Sequence, residues 1–455
     1  MTGASLSVAM TAELNTALRS HLLRPDGDED ICLATYSVST GARRVTHLID
    51  DVLLPGREDR IVHGNATIRG EYVLREATAA AAAGRGLAIL HSHPRGRGWQ
   101  QLSRYDHDAE RSYATLVREV TGLPLIGLTL AGGDGAWSAR SWDTTEPTWS
   151  ESVRVVGGRL EVSWNDALVP KPAAQAAQAR TVSAWGEAAQ ADMARLKVLV
   201  VGVGSVGLDV ALRLAASGVQ HVGVMDADVV ERRNLDRLVG ATRWDARLRR
   251  RKVAVAARLA RRAATADEFT VEQHAFSLCT QQGVAAALDY DVIFSCVDRP
   301  WPRAVLSSIA YADLIPVIDG GLDLAPHPQG GILRASARFQ TVVPGNPCLA
   351  CSRQINMSEV TLERQGLLDN PGYLEQAGRQ SQDGAPNVAA FSATVIAGLL
   401  EQFVVLTAAR RWEVGPPIQH IFSLQTRRTL EYTTGSACSM EGRLLAGDRR
   451  VSLVG

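Results

Sequence analysis

The sequence predicts an α/β chain of two units, and three observations carry that expectation. Lys197-Val198-Leu199-Val200-Val201 has the pattern of a buried strand. It passes into Gly202-Val203-Gly204-Ser205-Val206-Gly207 and then a helical stretch, Leu208 to Ala216. Strand, glycine turn and helix in that order form the opening of a parallel sheet whose helix N-terminus can receive a phosphate. Far upstream, Leu87-Ala88-Ile89-Leu90 reads as a buried strand and runs straight into His91-Ser92-His93-Pro94. Between the two, Val169-Pro170-Lys171-Pro172-Ala173-Ala174-Gln175 reads as a connector, because closely spaced prolines prevent a helix or a central strand.

A boundary is therefore expected between about Thr144 and Thr181, with Thr144 to Thr148 closing the first unit. The expected division is residues 1–148, a linker over 149–179, a second unit over 180–435 and a C-terminal tail over 436–455. The second unit opens with a helical segment ending at Met193-Ala194-Arg195-Leu196.

The 455 residues suffice for two or three domains with sizeable cores. Lys plus Arg equals Asp plus Glu at 48 each, so nothing argues for nucleic acid or an anionic membrane surface as a partner. Charges or glycines interrupt the apolar stretches, and no run of about 18 apolar residues suggests a membrane span. Met1 to Met10 lacks the basic flank and apolar centre of a signal peptide. The 6 cysteines do not resemble a disulfide framework. A cytoplasmic protein is expected.

The richest segment in the first unit is His91-Ser92-His93, followed by Ser103-Arg104-Tyr105-Asp106. Two imidazoles and a carboxylate make a three-ligand zinc set that leaves a fourth position for water. A His-x-His pair alone is equally a solvated turn. Ser103 and Asp106, at the head of a helix-like segment from Ser103 to Thr121, favour the hydrolytic reading. Neither His-Glu-x-x-His nor the His-x-Glu with Pro-Cys-x-x-Cys of a deaminase is present.

This pattern resembles the JAMM (JAB, MPN+) signature of zinc isopeptidases: an upstream Glu, then His-x-His, then Ser-x-x-Asp. The similarity runs from about Leu22 to Trp142 and includes Asp51-Val52-Leu53-Leu54-Pro55 and the Ala-rich stretch from Glu71 to Gly84. It implies a curved sheet with flanking helices, with zinc on His91, His93 and Asp106 and Ser103 stabilising the oxyanion. The upstream glutamate belongs at the head of an early strand. Glu29 fits, since Ile31-Cys32-Leu33-Ala34-Thr35-Tyr36 comes directly after it. Its implied role is general base and then general acid. Asp28 and Asp30 flank it, and the sequence leaves the choice among the three open.

In the second unit, Asp226 ends the next strand, Val222 to Met225, where a ribose-binding carboxylate is expected. Glycine turn and aspartate alone suit a nicotinamide or flavin dinucleotide. The residues beyond that strand depart from a dehydrogenase: Glu231-Arg232-Arg233-Asn234-Leu235-Asp236-Arg237, Lys252 on a basic helix, and Cys296-Val297-Asp298 after another strand. The constellation resembles the Rossmann-like adenylation domain of ubiquitin-activating (E1-like) enzymes and their ThiF, MoeB and HesA relatives, over about Arg180 to Arg428. The resemblance implies ATP on Gly202, Gly204, Gly207, Asp226 and Asn234, phosphates gripped by Arg237 and Lys252, and Mg²⁺ on Asp298. The cationic residues also fit a plain solvated basic face, because Arg247 to Lys252 is basic at nearly every position. Arg180 resembles an arginine that relatives supply across a homodimer interface.

Cysteines mark where the chain departs from that family. Cys348-Leu349-Ala350-Cys351 matches the first Cys-x-x-Cys of a structural zinc site, but the second is Cys438-Ser439-Met440-Glu441, with glutamate in the last place. Cys348, Cys351 and Cys438 are thus candidate zinc ligands, alongside the reading of ordinary core cysteines near a turn. From Ser352 to Ala437 there is no cysteine to form a thioester. Either Cys348 or Cys351 serves, or the activated carboxylate goes to an outside thiol. Gly384-Ala385-Pro386-Asn387 and the apolar run Val388 to Thr407 resemble the family's closing helix.

Together the resemblances imply a bifunctional enzyme using Zn²⁺, ATP and Mg²⁺ on a small ubiquitin-like or sulfur-carrier β-grasp protein. Activation of a ubiquitin-like modifier with a fused isopeptidase, beside an E2-like partner, is the first reading. Activation and processing of a sulfur carrier for cofactor or cysteine synthesis is the alternative. A scaffold with degenerate sites is the non-catalytic third.

Overall fold

The computed structural model describes residues 4–63, 65–143, 145–376, 386–432 and 438–454. Thr144, expected at the domain boundary, and Gly384 and Ala385, expected before the closing helix, lie outside the described residues. The chain divides into two units: Met1–Pro170 with Leu445–Arg450, and Lys171–Leu444 with Val451–Gly455.

In the first unit, nine strands among the described residues form one mixed sheet. At its centre Gly86–His93 lies between Ile31–Thr40, antiparallel, and Leu125–Ala131, parallel. A parallel pair needs a crossover, and helix Arg104–Thr121 supplies it. Alternation sorts the side chains of these strands onto two faces. Ile31, Leu33, Leu87 and Ile89 pack with Tyr72, Val73 and Ala77 of helix Gly70–Ala82 and with Ala114 and Val117 of helix Arg104–Thr121. Cys32, Ala34, Ala88 and Leu90 face the other way, against Leu18 and Leu22 of helix Ala12–Leu22.

The expected linker is partly sheet. Ser152–Val156 pairs in parallel with Ser5–Thr11, and Leu160–Trp164 then pairs with Ser152–Val156. Short strands with alternating polar residues such as Arg154 hid this continuation from the sequence reading. The expected tail is not a single segment either. Asp448 accepts from the Thr40 backbone N at 2.9 Å and its hydroxyl at 2.6 Å, tying residues of the tail into the first unit.

The second unit holds an eight-stranded sheet among its described residues. Thr270–His274, His221–Met225, Lys197–Val201, Val292–Ser295 and Val317–Pro326 are parallel neighbours. Ile332–Val342, Ile418–Ile421 and Thr426–Thr429 add antiparallel strands. The central parallel strands are covered on both faces, which is why they read as unbroken apolar runs. Leu199, Val201 and Ile293 join a core with Ile309 and Tyr311, while Val198 and Val200 are fully buried from the opposite side. Helix Ser205–Ala216 packs against Lys252–Ala263 and against Ala389–Thr407. Among the described residues Ala389–Thr407 alone is long and apolar enough to cross a membrane by length and composition. Here it buries Val395, Leu399 and Phe403 and packs on strands Val317–Pro326 and Ile332–Val342.

One buried carboxylate, paired with a partly exposed arginine, anchors the excursion between His221–Met225 and Lys252–Ala263. Asp245 accepts from Arg258 Nη1 at 2.8 Å and Nη2 at 2.9 Å, and from the Thr242 hydroxyl at 2.7 Å. The Arg258 hydrogen bonds hold the Asp245 carboxyl well below the usual carboxylate range, although burial pulls the other way. A depressed carboxyl contributes stability above its unfolded pKa and loses it as pH falls toward the folded value. Asp245→Asn should therefore lower urea stability of the second unit by about 1–3 kcal/mol at pH 7. The gap to the unsubstituted protein should shrink once pH drops below about 4. A gap that stays constant down to pH 3 would contradict this account.

Candidate functional site

Two clusters of chemistry-bearing side chains stand out, one in each unit. In the first, the same alternation that points Leu87 and Ile89 at helix Arg104–Thr121 carries His91 and His93 to that face. The helix begins with a capping box. Ser103 Oγ accepts from Asp106 N at 3.2 Å, and Asp106 Oδ2 accepts from Ser103 N at 3.0 Å. The Ser-x-x-Asp spacing thus builds the helix start and aims the carboxylate. Asp106 Oδ2 lies 3.5 Å from His93 Nε2 and 3.8 Å from His91 Nε2. His91, His93 and Asp106 offer ligand atoms all within 4.8 Å of one another.

The strand register also separates the three upstream acids. Ile31 sits opposite His91, so Glu29, two residues earlier, continues toward His93 on the same face. Asp30 faces the other way: it is buried against Arg60, with Arg24 Nη1 at 3.5 Å. Glu29, His91, His93, Ser103 and Asp106 line one cleft of about 320 Å³ with Ile68, Tyr105 and Tyr113.

Electrostatics in this cleft suit a cation. Burial drives His91 down to about 3, so its ring is neutral. The hydrogen bond with Asp106 raises His93 despite its burial. Burial alone would raise Asp106, but its hydrogen bonds with His93 and Ser103 leave the carboxyl below the usual range. Burial raises Glu29, with His93 opposing and Asp106 adding to the shift. A neutral imidazole, a second imidazole and an ionised carboxylate form a donor set that fits zinc. The sequence reading missed Gln100, whose Oε1 lies 3.2 Å from His93 Nδ1. It also missed Glu110, whose Oε1 lies 4.0 Å from His91 Nδ1. Glu110 was detectable as the residue one helical turn after Asp106.

In the second unit the glycine turn is dictated by close approach. Gly202 has φ +84° and a Cβ there would sit 2.6 Å from the Cys296 carbonyl, while a Cβ on Gly207 would sit 1.9 Å from the Gly202 carbonyl. Gly204 faces open space. Val203 N donates to Asp226 Oδ2 at 2.7 Å, so Asp226 braces the turn. Burial raises the Asp226 carboxyl, and Lys252 opposes the shift. Lys252 Nζ lies 3.9 Å from Asp226 and donates to Asp228 at 2.8 Å. Asp228 was not foreseen.

The other expected residues are dispersed among supporting roles. Asn234 Oδ1 accepts from Glu231 N at 3.0 Å and shapes its own turn. Arg237 donates to the Arg233 carbonyl at 2.7 Å and to Asp236 at 2.9 Å. Asp298 comes two residues after Cys296, which abuts Gly202, and lines a cleft of about 610 Å³ with Arg303, Arg353, Gln354 and Asn356. Arg180 is exposed on helix Ala179–Trp185. Asn387 Nδ2 donates to Ser205 Oγ at 3.2 Å, docking the start of Ala389–Thr407 beside the glycine turn.

The cysteines gather incompletely. Cys348, Cys351 and Cys438 place their sulfurs within 4.8 Å, with Cys438 and Cys348 3.6 Å apart. Glu441 is exposed and outside the cluster. Burial pushes the Cys348 and Cys351 thiols up. Three sulfurs are one ligand short of a closed tetrahedral site.

Comparison with known proteins bears on the second unit. A region of this chain is 28% identical over 216 residues to the adenylyltransferase and sulfurtransferase uba4 of Neosartorya fischeri, covering 48% of this chain and 40% of that protein. It is 29% identical over 170 residues to the adenylyltransferase and sulfurtransferase MOCS3 of Arabidopsis thaliana, covering 36% and 35%. The matched region thus spans less than half the length of these curated relatives. E. coli MccB, solved with ATP, aligns at a TM-score of 0.46 and 16% identity, covering 59% of this chain and 74% of that one. Residues 176–441, more than half of the sequence, match the ThiF family throughout, and the chain belongs to that family.

Proposed function

We propose that the second unit uses ATP and Mg²⁺ to adenylate the C-terminal carboxylate of a small sulfur-carrier protein of the β-grasp class. We propose further that the first unit hydrolyses a peptide or isopeptide bond after such a C-terminus. The observation that carries the first half is the Gly202–Gly207 turn braced by Asp226 beside Lys252, within a ThiF-family match. The relatives described as adenylyltransferase and sulfurtransferase support a sulfur carrier. The conjugation reading given first by the sequence, with its E2-like partner, gives way to that alternative. The lack of any cysteine from Ser352 to Ala437 agrees with transfer to an outside sulfur donor. A homodimer that shares Arg180 remains part of the proposal.

In the adenylation step the carrier carboxylate attacks the α-phosphorus of ATP, giving an acyl adenylate and pyrophosphate. Lys252 would offset the phosphate charge and Asp298 would hold Mg²⁺; Arg237 would share the first role only by leaving the Arg233 carbonyl and Asp236, its partners here. The glycine turn offers backbone N–H groups at the head of helix Ser205–Ala216.

In the hydrolytic half, His91, His93 and Asp106 would hold zinc, which when bound lowers the pKa of its water from about 15.7 to about 7. Glu29 moves the proton from the attacking water to the leaving amine. Ser103 Oγ accepts from Asp106 N, which leaves its hydroxyl hydrogen to donate to the oxyanion.

Metal analysis tests the ligand set. Purified protein should lose one equivalent of zinc in the variant carrying His91→Ala and His93→Ala, with any thiol-bound metal retained. Equal zinc in both proteins would remove the first site from the account.

The proton carrier is tested separately. Glu29→Gln should lower cleavage of a carrier fusion by about 10²–10⁴-fold while zinc stays bound. Normal cleavage would shift the role to another group.

For the second unit, carrier-dependent exchange of labelled pyrophosphate into ATP should fall at least about 100-fold in Asp298→Ala. It should survive in His91→Ala. No exchange by the unsubstituted protein, given a carrier with a free C-terminal carboxylate, would overturn the adenylation reading.

A further inference from the structure

The segment that brings Glu29 to the cleft is neither helix nor strand. It leaves an exposed turn, where Arg24 pairs with Asp26 and Asp28 N donates to Asp26 Oδ1 at 3.1 Å, and becomes strand only at Ile31. Among the described residues the Glu29 carboxylate has no hydrogen-bond partner; burial and the charges of His93 and Asp106 are what act on it. Its aim therefore depends on the backbone that carries it. That backbone becomes fixed at the next residue, Asp30.

Asp30 is 2% exposed, a depth at which a carboxylate needs cations and hydrogen bonds around it. It has both. Its Oδ1 accepts from Ile31 N at 2.7 Å and from Arg60 Nη1, and Arg24 Nη1 lies 3.5 Å from Oδ2. The main chain is held as well. Ser92 N donates to the Asp30 carbonyl at 3.1 Å. Asp30 N donates to Ser92 Oγ at 3.0 Å, where an antiparallel ladder would use the Ser92 carbonyl. Ser92 is itself fully buried, between His91 and His93 in the chain. Arg60 opens strand Arg60–His63, whose partner Asn65–Ile68 supplies Ile68 to the cleft wall. One carboxylate thus ties the head of the Glu29 segment to the His-x-His strand and to the hairpin beside the cleft.

We propose that Asp30 is a positioning residue that aims Glu29 into the cleft, toward His93. It acts through the backbone and touches neither substrate nor metal. This rests on the hydrolytic reading of the first unit. With no partner of its own, Glu29 swings out of line once Asp30 is loosened, and a misplacement of about 1 Å in a reacting group costs up to about 100-fold in rate.

Hydrogen–deuterium exchange in the purified full-length protein tests the anchor, and a double-mutant cycle tests what the anchor does. In the unsubstituted protein the amides of Asp30 and Ile31 should be more strongly protected than those of the exposed turn before them. Asp30→Asn leaves Arg60 without its counter-charge and should speed exchange at both amides by about 10–100-fold, with Leu33 to Tyr36 still protected. In the same variant kcat for cleavage of a carrier fusion should fall by about 10–100-fold at unchanged KM and zinc content. Once Glu29→Gln is present, adding Asp30→Asn should lower kcat no further, because a residue that acts only through another has no effect when that one is disabled. A role in folding or zinc retention would instead multiply the two losses. Arg60→Ala, at a position 20% exposed, should reproduce the faster exchange if Asp30→Asn does not fold, and Arg60→Lys should restore most of the protection.

Exchange at Asp30 and Ile31 as fast as in the turn would overturn the anchor without any variant. Normal kcat in Asp30→Asn, or losses that multiply with Glu29→Gln, would overturn the positioning role while the hydrolytic reading stood. Failure of that reading looks different: the unsubstituted protein would cleave no carrier fusion although both amides were protected, and the role would fall with it.

Discussion

The period of two along Ile31–Thr40 and Gly86–His93 is the constraint on which the first site depends. Because these strands are antiparallel with Ile31 opposite His91, one face receives Glu29, His91 and His93 together. The opposite face receives Asp30 and Cys32. A one-residue slip would exchange the faces and scatter the set. The apolar residues on the same alternation, Leu33, Leu87 and Ile89, bury against the two helices and lock that register. Core packing and site assembly are thus one event. The helix that covers this face delivers Asp106 in its first turn and Glu110 one turn later, so a single capping box at Ser103 positions two carboxylates.

In the second unit the corresponding constraint is backbone approach. The Gly202 carbonyl sits where a Gly207 side chain would be, and the Cys296 carbonyl where a Gly202 side chain would be. Three strand ends, after Val201, Met225 and Ser295, therefore converge closely enough for Asp226 to brace the turn and for Asp298 to lie just past the neighbouring strand. Ligands in open parallel sheets bind outside the carboxyl ends of strands where the strand order reverses, which here falls between Lys197–Val201 and Val292–Ser295. Lys252 reaches the same place from the first turn of its helix and is held there by Asp228.

Much of this was legible in the sequence because the decisive signals are local. The apolar runs at Val198–Val201 and Leu87–Leu90, the glycine spacing and the Ser-x-x-Asp cap each lie within a few residues. The features that were not legible depend on partners far apart in the chain. Strand Ser152–Val156 is defined by Ser5–Thr11, nearly the whole first unit away, and so passed for linker. Glu110 looks like a surface helix acid until Arg140 and Trp142 are placed beside it. Arg237 carries the expected motif yet turns to its own loop, where Arg233 and Asp236 are nearer partners. Glu441 has the right spacing for a fourth metal ligand and the wrong exposure. Choosing Glu29 over its neighbours needed only parity once the register to His91 was known.

One chain is proposed to carry a zinc site built from imidazole and carboxylate and, separately, a nucleotide site built on a glycine turn. A crystal structure grown with Zn²⁺ and a non-hydrolysable ATP analogue, with anomalous data at the zinc edge, tests it most directly. The account predicts an anomalous peak among His91, His93 and Asp106, and the analogue's phosphates at Gly202 to Gly207 beside Lys252. A peak confined to Cys348, Cys351 and Cys438, or an analogue bound away from the glycine turn, would contradict it.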